Sequence, residues 1–411
     1  MEVAPLRSKA SDRSRKRSWL QVWVLLVLGA LLFVALTIAL RETFTSPHPG
    51  ANDFYIPWRA VRALVVEGRN PYSPEVTRDI QQVLFGGPRP PGTHQYAFAY
   101  PLTVLPLLAP LAPLPYDWAE AIWVTLSMWA LLGGLFLSLR VPDWSPRPLF
   151  MAVLAIWALL FYPAARALIL GQIAAIVFFL ATASIYLLHR GHPAWAGVAL
   201  AATTIKPQMV VLLIPILLLW ATERRQMIVW RTFAVTLAGM VLLPLLWLPT
   251  WPLDFVRAVT DYAGYVPVGS PVGIALSALP ASGVMTIALD GALMALLAYG
   301  YWRERAHGTA SLLWLASLAI VVGLLIVPRG GTTNQVLLII PCMLATCWFV
   351  HRHRGPLMTS LILALLLVLP WLLFLATVQG NTEQVIMFVP LPFAVLLLLW
   401  PIRPGGRPCA S

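Results

Sequence analysis

The run WLQVWVLLVLGALLFVALTIAL, residues 19–40, contains no charged side chain. An uninterrupted apolar run of about 20 residues is long enough for a helix to cross the hydrocarbon core of a bilayer. Similar runs recur along the chain, which is 59% hydrophobic and only 11% charged, whereas a soluble domain carries about 25% charged residues. The sequence therefore predicts an all-α polytopic membrane protein, a transmembrane bundle of about 10–13 helices.

The positive charges indicate how these helices are oriented. The net charge is +12, but Arg and Lys cluster in short loops between apolar runs, as the positive-inside rule requires, and not in a nucleic-acid-binding surface. We expect a multi-pass plasma-membrane protein without a nucleic-acid partner. The predicted organisation is a basic cytoplasmic tail (1–18), a first transmembrane helix (19–40), an outer loop or cap (41–116), a transmembrane bundle (117–401) and a second cytoplasmic tail (402–411).

The stretch Ala51–Pro101 is the longest polar interruption, and prolines divide it. Aromatic and apolar residues run through it, which disfavours disorder. We therefore predict a folded cap with short interfacial helices on the outer surface. Asp53 is its chemical centre, because a carboxylate facing a cavity can accept the proton of an attacking hydroxyl. The alternative is that Asp53 caps a helix over Phe54–Val66.

Lys206 is the second candidate. It is the only lysine beyond the N-terminal tail, and it lies with Pro207 in the middle of the apolar run 194–220. Both flanks of that run carry arginines, so we predict two half-length helices that meet at Lys206-Pro207 and form a hairpin. An ionisable residue at membrane depth is a functional candidate, and its ammonium suits a phosphate. The alternative is an ammonium that extends to the membrane interface.

Further cations and amides fall on the side predicted to be outside. Arginine binds phosphate through two parallel hydrogen bonds. Taken singly, each arginine is more often a membrane-interface anchor, but together they indicate an anionic ligand at the outer leaflet. The members of this group are Arg59, Arg166, Gln172, Arg329, Asn334 and Gln335.

An ordered series of short motifs resembles the family 87 glycosyltransferases, which are polyprenyl-phosphate-mannose-dependent mannosyltransferases of the GT-C superfamily. The similar motifs are Asp53-Phe54-Tyr55, Gly68-Arg69-Asn70-Pro71-Tyr72, Tyr100-Pro101, Gly171-Gln172, Ala196-Gly197, Ile205-Lys206-Pro207-Gln208, and Pro328 followed by Asn334-Gln335-Val336-Leu337-Leu338. The late motif differs from that of relatives, which often carry His at a position where this chain has Thr333-Asn334-Gln335.

The resemblance implies a GT-C-type bundle whose active site is on the outer face. A polyprenyl-phosphate sugar, with mannose as the sugar, would be the donor, and a hydroxyl of a glycolipid, glycan or other molecule would be the acceptor. Transfer would proceed with inversion and with Asp53 as the general base. Lys206, Arg166 and Arg329 are the expected phosphate-binding residues. Tyr55 and Tyr100 in the loop motifs, with Arg59, Gln172, Asn334 and Gln335, complete the candidate substrate-binding set.

Two other classes of protein compete with this interpretation. A multi-span lipid or sugar transporter, or flippase, would use the broken helix at Pro207 and an intramembrane proton relay at Asp290. The simpler expectation for Asp290 is a hydrogen bond to a polar group on a neighbouring helix. A non-catalytic scaffold is the other alternative. No cofactor is expected, and we predict no divalent metal, because the chain lacks the acidic cluster that Mg²⁺ sites use.

Overall fold

The computed structural model describes residues 8–50, 52–265, 269–305, 307, 311–328, 331–352, 355–380 and 383–402. Within these ranges the chain forms helices and turns, with no β-strand, which confirms the all-α prediction. The helices of the first half are α1 Ser8–Leu40, α2 Asn52–Val65, α3 Pro74–Phe85, α4 Leu105–Leu108, α5 Tyr116–Arg140, α6 Pro148–Leu160, α7 Tyr162–Ile169, α8 Ala174–His189 and α9 Pro193–Ala202. Those of the second half are α10 Leu213–Glu223, α11 Met227–Leu242, α12 Trp251–Tyr265, α13 Pro271–Leu276, α14 Ser282–Glu304, α15 Leu312–Ile326, α16 Ile339–Val350, α17 Gly355–Thr377 and α18 Pro390–Leu399.

Fewer helices are long enough to cross a membrane than the sequence suggested. Among the described residues, six helical segments have the length and hydropathy of a span, or seven if α6 and α7, which meet at a 60° bend, are one span. The predicted number was higher because several apolar runs form helices of 10–17 residues, among them α8, α9, α10 and α15. Apolar composition reports that a segment avoids water, but not whether lipid or protein surrounds it.

The burial pattern separates these two environments. Nearly every residue of the short helix α15 is buried by protein. By contrast, α11, α14 and α17 expose large apolar side chains, with Val235 73%, Ile287 74% and Leu357 75% exposed. Contiguous apolar surface of this extent is typical of a membrane-facing helix. The polytopic bundle therefore has a protein-packed interior and a lipid-facing exterior.

The chain divides into two compact units, Met1–Gly50 with Leu114–Leu126, and Ala51–Pro113 with Ser127–Ser411. In the first unit, the end of α1 pairs with the start of α5. Arg41 binds the Asp117 carboxylate at 2.9 Å, and the Thr37 hydroxyl donates to that of Thr125 at 3.1 Å. The Gly50 N–H donates to the Glu120 carboxylate at 3.1 Å.

The run 194–220 is broken at Lys206, as predicted. Lys206 lies between two 3₁₀ turns that separate α9 from α10, because Pro207 lacks an N–H and disfavours the helical conformation at the preceding residue. Gly197 of α9 faces the first turns of α11, and the Trp230 indole of α11 donates to the Leu218 carbonyl of α10 at 3.1 Å. Helices α9 and α10 therefore both pack against the beginning of α11. This arrangement agrees with the predicted hairpin.

The contact at Gly197 gives a stability prediction. A Cβ at this position would overlap the Val229 carbonyl oxygen and the Thr232 hydroxyl of α11. We expect Gly197→Ala to lower the free energy of unfolding by about 1–3 kcal/mol, because two packed helices would have to separate. Thermal unfolding in detergent, followed by tryptophan fluorescence, measures the change.

Gly239→Ala is the matched control, because a Cβ at Gly239, also on α11, meets open space. It should leave the unfolding temperature unchanged or raise it slightly, since Ala favours helix over Gly. Equal unfolding temperatures for both variants would contradict the close approach at Gly197.

The expectation for Asp290 is wrong. Its Oδ1 atom is buried on α14 and, within the described part of the chain, has no hydrogen-bond partner. Only a small part of α14 is buried against the rest of the protein, so few polar groups of other helices are within reach of Asp290.

Candidate active site

Helix α2 holds Asp53 in its first turn, after Asn52. Two hydrogen bonds anchor this helix to the proline-rich segment 102–115. The Trp58 indole donates to the Leu111 carbonyl at 3.0 Å, and the Arg62 guanidinium donates to the Ala112 carbonyl at 2.7 Å. Asp53 therefore belongs to a helix that is held in place through Trp58 and Arg62. The capping alternative placed Asp53 one residue before the helix, whereas α2 already begins at Asn52.

Gln172 is the residue that contacts Asp53. The segment 162–169 forms the short helix α7, and the chain leaves it through Gly171 at φ +67°. Glycine adopts this left-handed conformation without strain, which makes it the usual residue just past a helix end. The next side chain therefore points back, and Gln172 Nε2 donates to Asp53 Oδ2 at 2.6 Å.

Lys206 fixes the orientation of this amide. Its Nζ atom donates to Gln172 Oε1 at 2.7 Å. An ammonium only donates hydrogen bonds, so the amide oxygen must face Lys206 and the amide nitrogen must face Asp53. The lysine is 6% exposed, and a buried charge of this kind needs a nearby opposite charge. Asp53, one amide away, is that charge. Asp53, Gln172 and Lys206 are called the acid–amide–amine group below.

Tyr100 borders the acid–amide–amine group. Its hydroxyl approaches Gln172 Oε1 at 3.4 Å, and its carbonyl accepts a hydrogen bond from the Tyr72 hydroxyl at 2.7 Å. Burial, followed by the negative charge of Asp53, raises the pKa of the Tyr100 phenol. The phenol is therefore a neutral donor at physiological pH.

A second polar cluster surrounds Arg166, which α7 carries six residues before Gln172. The Arg166 guanidinium lies 5.4 Å above the Phe374 ring, and its Nε atom is buried with no hydrogen-bond partner among the described residues. One turn earlier, the Tyr162 hydroxyl donates to Glu383 at 2.6 Å, and the Thr332 hydroxyl donates to the other oxygen of Glu383 at 2.8 Å. Arg166 can therefore still donate a hydrogen bond to a ligand, whereas both carboxylate oxygens of Glu383 already accept one.

The late motif lies in a buried 3₁₀ turn, 332–338. Asn334 is 3% exposed, and its Oδ1 atom has no hydrogen-bond partner within the ranges that the structure covers. Gln335 Nε2 donates to the Phe388 carbonyl at 2.8 Å, so its amide is engaged in packing. Arg329 lies outside the described residues.

Two candidates from the cap serve its internal structure. Arg59 donates to Glu67 at 2.9 Å and to Asp79 at 2.7 Å, which joins α2 to α3. Tyr55 is 8% exposed, and its ring centroid lies 5.6 Å from that of Trp58. The structure does not bring these two side chains into the acid–amide–amine group.

The ion pairs of Glu67 predict a pH effect on the cap. Burial raises the pKa of Glu67, but hydrogen bonds from Arg59 and Arg69 outweigh it and hold the pKa below its ordinary value of 4.5. A lowered pKa stabilises the folded state above the ordinary value, and this contribution is lost as the pH falls through the folded pKa. We expect hydrogen-exchange protection of α2 to be constant down to about pH 5.5 and to fall as the pH is lowered further, through 4.5 to the folded pKa, after correction for intrinsic rates.

Glu67→Gln should show lower protection of α2 at pH 6 and a smaller change on acidification, because the titrating carboxyl is gone. Protection of wild-type α2 that does not change with pH would contradict this assignment.

Sequence reasoning missed Tyr162, Thr332 and Glu383. Glu383 could have been selected from the sequence, because it is the only acidic residue after Glu304. No sequence feature distinguishes Tyr162 or Thr332. Among the described residues, no three His, Cys, Asp or Glu side chains come together in a way that could hold a metal ion.

The fold and this constellation define a polytopic membrane protein in which one amide side chain, Gln172, contacts both a carboxylate and a buried amine. The sequence matches the model of glycosyltransferase family 87 over residues 98–328, more than half of its length, and the chain belongs to that family. No curated protein and no solved structure gives a match. The matched range contains Tyr100, Arg166, Gln172 and Lys206, whereas Asp53 precedes it. The protein is a membrane glycosyltransferase.

Proposed function

We propose that the protein transfers mannose from a polyprenyl-phosphate donor to a hydroxyl of a glycolipid or glycan acceptor, with inversion, at the outer face of the plasma membrane. The observation that carries this proposal is the acid–amide–amine group, in which Gln172 contacts both Asp53 and Lys206. Asp53 and Lys206 are separated by one amide side chain. In a displacement reaction, the base activates the nucleophile and the cation stabilises the leaving group.

Asp53 is the proposed general base. Gln172 occupies its Oδ2 atom, and no other described residue donates a hydrogen bond to the carboxylate. Oδ1 can therefore accept the proton of the acceptor hydroxyl as the hydroxyl oxygen attacks the anomeric carbon. Because the amide nitrogen of Gln172 cannot accept a proton, it holds the carboxylate in place without competing for that role.

Lys206 and Arg166 are the proposed phosphate ligands. When the bond between the anomeric carbon and the phosphate oxygen breaks, negative charge develops on the departing polyprenyl phosphate, and fixed cations stabilise that charge. Within the described ranges, the Lys206 ammonium makes one hydrogen bond, to Gln172, although an ammonium has three donors. Arg166 has its buried Nε–H free among the described residues.

A lipid-linked donor is supported by an apolar groove between α17 and α18. Its volume is about 730 Å³, and only apolar side chains line it. Leu373 and Met387 belong to this lining, and the neighbouring Phe374 lies beneath the Arg166 guanidinium. A prenyl chain in this groove would place its phosphate near Arg166.

Reconstitution in lipid nanodiscs tests this function. We expect labelled polyprenyl-phosphate mannose to give a mannosylated lipid or glycan product, and nucleotide-linked mannose to give none. The anomeric configuration of donor and product, read from one-bond C–H couplings by NMR, should differ. Transfer from the nucleotide sugar alone would overturn the donor assignment, and an unchanged configuration would overturn inversion.

A further inference from the structure

A second cleft, of about 590 Å³, lies between α3, the segment 95–98 and α12. Helix α12 is amphipathic. Leu253 and Val256 on one side are 64% and 59% exposed, whereas Asp254, Asp261 and Tyr265 line the cleft. This volume is in the range of small-molecule sites, in which polar groups converge on a partly apolar wall.

Hydrogen bonds of Asn70 join two walls of the cleft. Asn70 Nδ2 donates to Asp254 Oδ2 at 3.0 Å, and the Asn70 Oδ1 atom accepts from the Tyr72 N–H at 2.9 Å. The first contact joins the start of the cleft, near α3, to α12 across 184 residues of sequence. The cleft is therefore a built feature of the fold, and not a gap between loosely packed helices.

The charges of the lining select the kind of ligand. The lining holds two arginines, Arg78 and Arg257, and two aspartates, Asp254 and Asp261. Arg78 pairs with Glu75 at 3.0 Å, and Arg257 lies 3.7 Å from Asp254. Such a balanced lining does not favour a phosphate, which needs an excess of positive charge. It offers donors and acceptors to a neutral molecule with many hydroxyl groups.

Aromatic rings also line the cleft, and successive contacts connect them to the acid–amide–amine group. Tyr72, Phe98 and Tyr265 line the cleft, and an aromatic face packs against the apolar C–H face of a sugar ring while polar neighbours meet its hydroxyls. The Tyr72 and Phe98 rings are 5.1 Å apart, and Phe98 stacks on Tyr100 at 6.0 Å. Tyr100 in turn contacts Gln172.

We propose that this cleft binds a neutral hexosyl unit of the acceptor, adjacent to the unit whose hydroxyl reaches Asp53. The acceptor is then a glycan of at least two sugars. Tyr265 stacks on the bound ring, and Asp261 accepts hydrogen bonds from its hydroxyls. This assignment rests on the proposed transferase function, which places the reacting hydroxyl at Asp53.

Two synthetic acceptors, octyl mannoside and octyl dimannoside, test the proposal in nanodiscs with polyprenyl-phosphate mannose as donor. We expect Tyr265→Ala and Asp261→Asn each to raise the KM of the dimannoside about 10-fold. The KM of the monomannoside and the kcat with either acceptor should stay at wild-type values. Tyr265→Phe should retain the wild-type KM, because it keeps the ring. Thr260→Ala is the matched control, because Thr260 is an exposed neighbour on α12 outside the cleft.

Saturation-transfer NMR with free mannobiose separates this proposal from the transfer reaction. We expect signals with wild type and with Asp53→Asn, and loss of signals with Tyr265→Ala. If these binding results hold but wild type transfers no sugar, the cleft assignment is retained and the proposed reaction is rejected. If wild type transfers mannose but the cleft variants keep the dimannoside KM, the cleft assignment is overturned. Absence of mannobiose signals with wild type also overturns it.

Discussion

Replacing Asp53 by Asn is expected to lower kcat for sugar transfer by about 10²–10⁴-fold, the usual contribution of a general base. The amide cannot accept the proton of the acceptor hydroxyl, so the nucleophile would attack without activation. The fold should survive, because the carbonyl oxygen of the introduced amide can take the place of Oδ2 and still accept the hydrogen bond from Gln172. Product formation from labelled polyprenyl-phosphate mannose measures the effect.

The matched control for this change is Asp143→Asn. Asp143 is a 64% exposed carboxylate that pairs with Arg190 at 3.0 Å, away from the acid–amide–amine group. Its removal should leave kcat within about twofold, since an exposed ion pair contributes little. Size-exclusion profiles and unfolding temperatures compare the folds. An Asp53→Asn variant that retained wild-type kcat would remove Asp53 from the mechanism.

Lys206→Ala is expected to lower kcat/KM for the donor by about 10²-fold, which is the typical cost of removing one group that stabilises developing negative charge. The KM of the acceptor should change far less, because the ammonium faces the proposed phosphate and not the incoming hydroxyl. Steady-state kinetics with each substrate varied in turn separate the two effects.

Two companion variants distinguish loss of the cation from loss of orientation. Lys206→Arg retains a positive charge and should recover part of the donor kcat/KM. Gln172→Leu retains Lys206 but frees Asp53 from its hydrogen bond at 2.6 Å, so it should lower kcat with both substrates saturating. A Lys206→Ala enzyme with unchanged donor KM and unchanged kcat would exclude a phosphate-binding role.

The all-α membrane fold could be predicted from the sequence because apolar runs and proline act locally. A run without charges, such as residues 19–40, avoids water whatever surrounds it. The break at Lys206 follows from the missing N–H of Pro207 and from its steric effect on the preceding residue. The helix of the cap, α2, was indicated in the same way, by residues that are neighbours in sequence.

The number of spans could not be predicted in this way, because lipid and protein are both apolar surroundings. The helices α8 and α15 have the composition of spans, yet they are only 16 and 15 residues long and are packed in protein.

The candidate residues could be selected from sequence, but their arrangement could not. Asp53 and Gln172 are 119 residues apart, and Gln172 and Lys206 are 34 apart. Which side chain meets which depends on the left-handed turn at Gly171 and on the packing of α2, neither of which a local pattern specifies. Arg59 shows the converse, since its chemistry suits a phosphate but folding pairs it with Glu67 and Asp79. The sequence by itself determined the membrane-embedded helices and the supply of reactive groups, because these depend on local chemistry. Only the tertiary structure decided which groups form the site, because hydrogen bonds act over about 3 Å and require distant segments to be brought together.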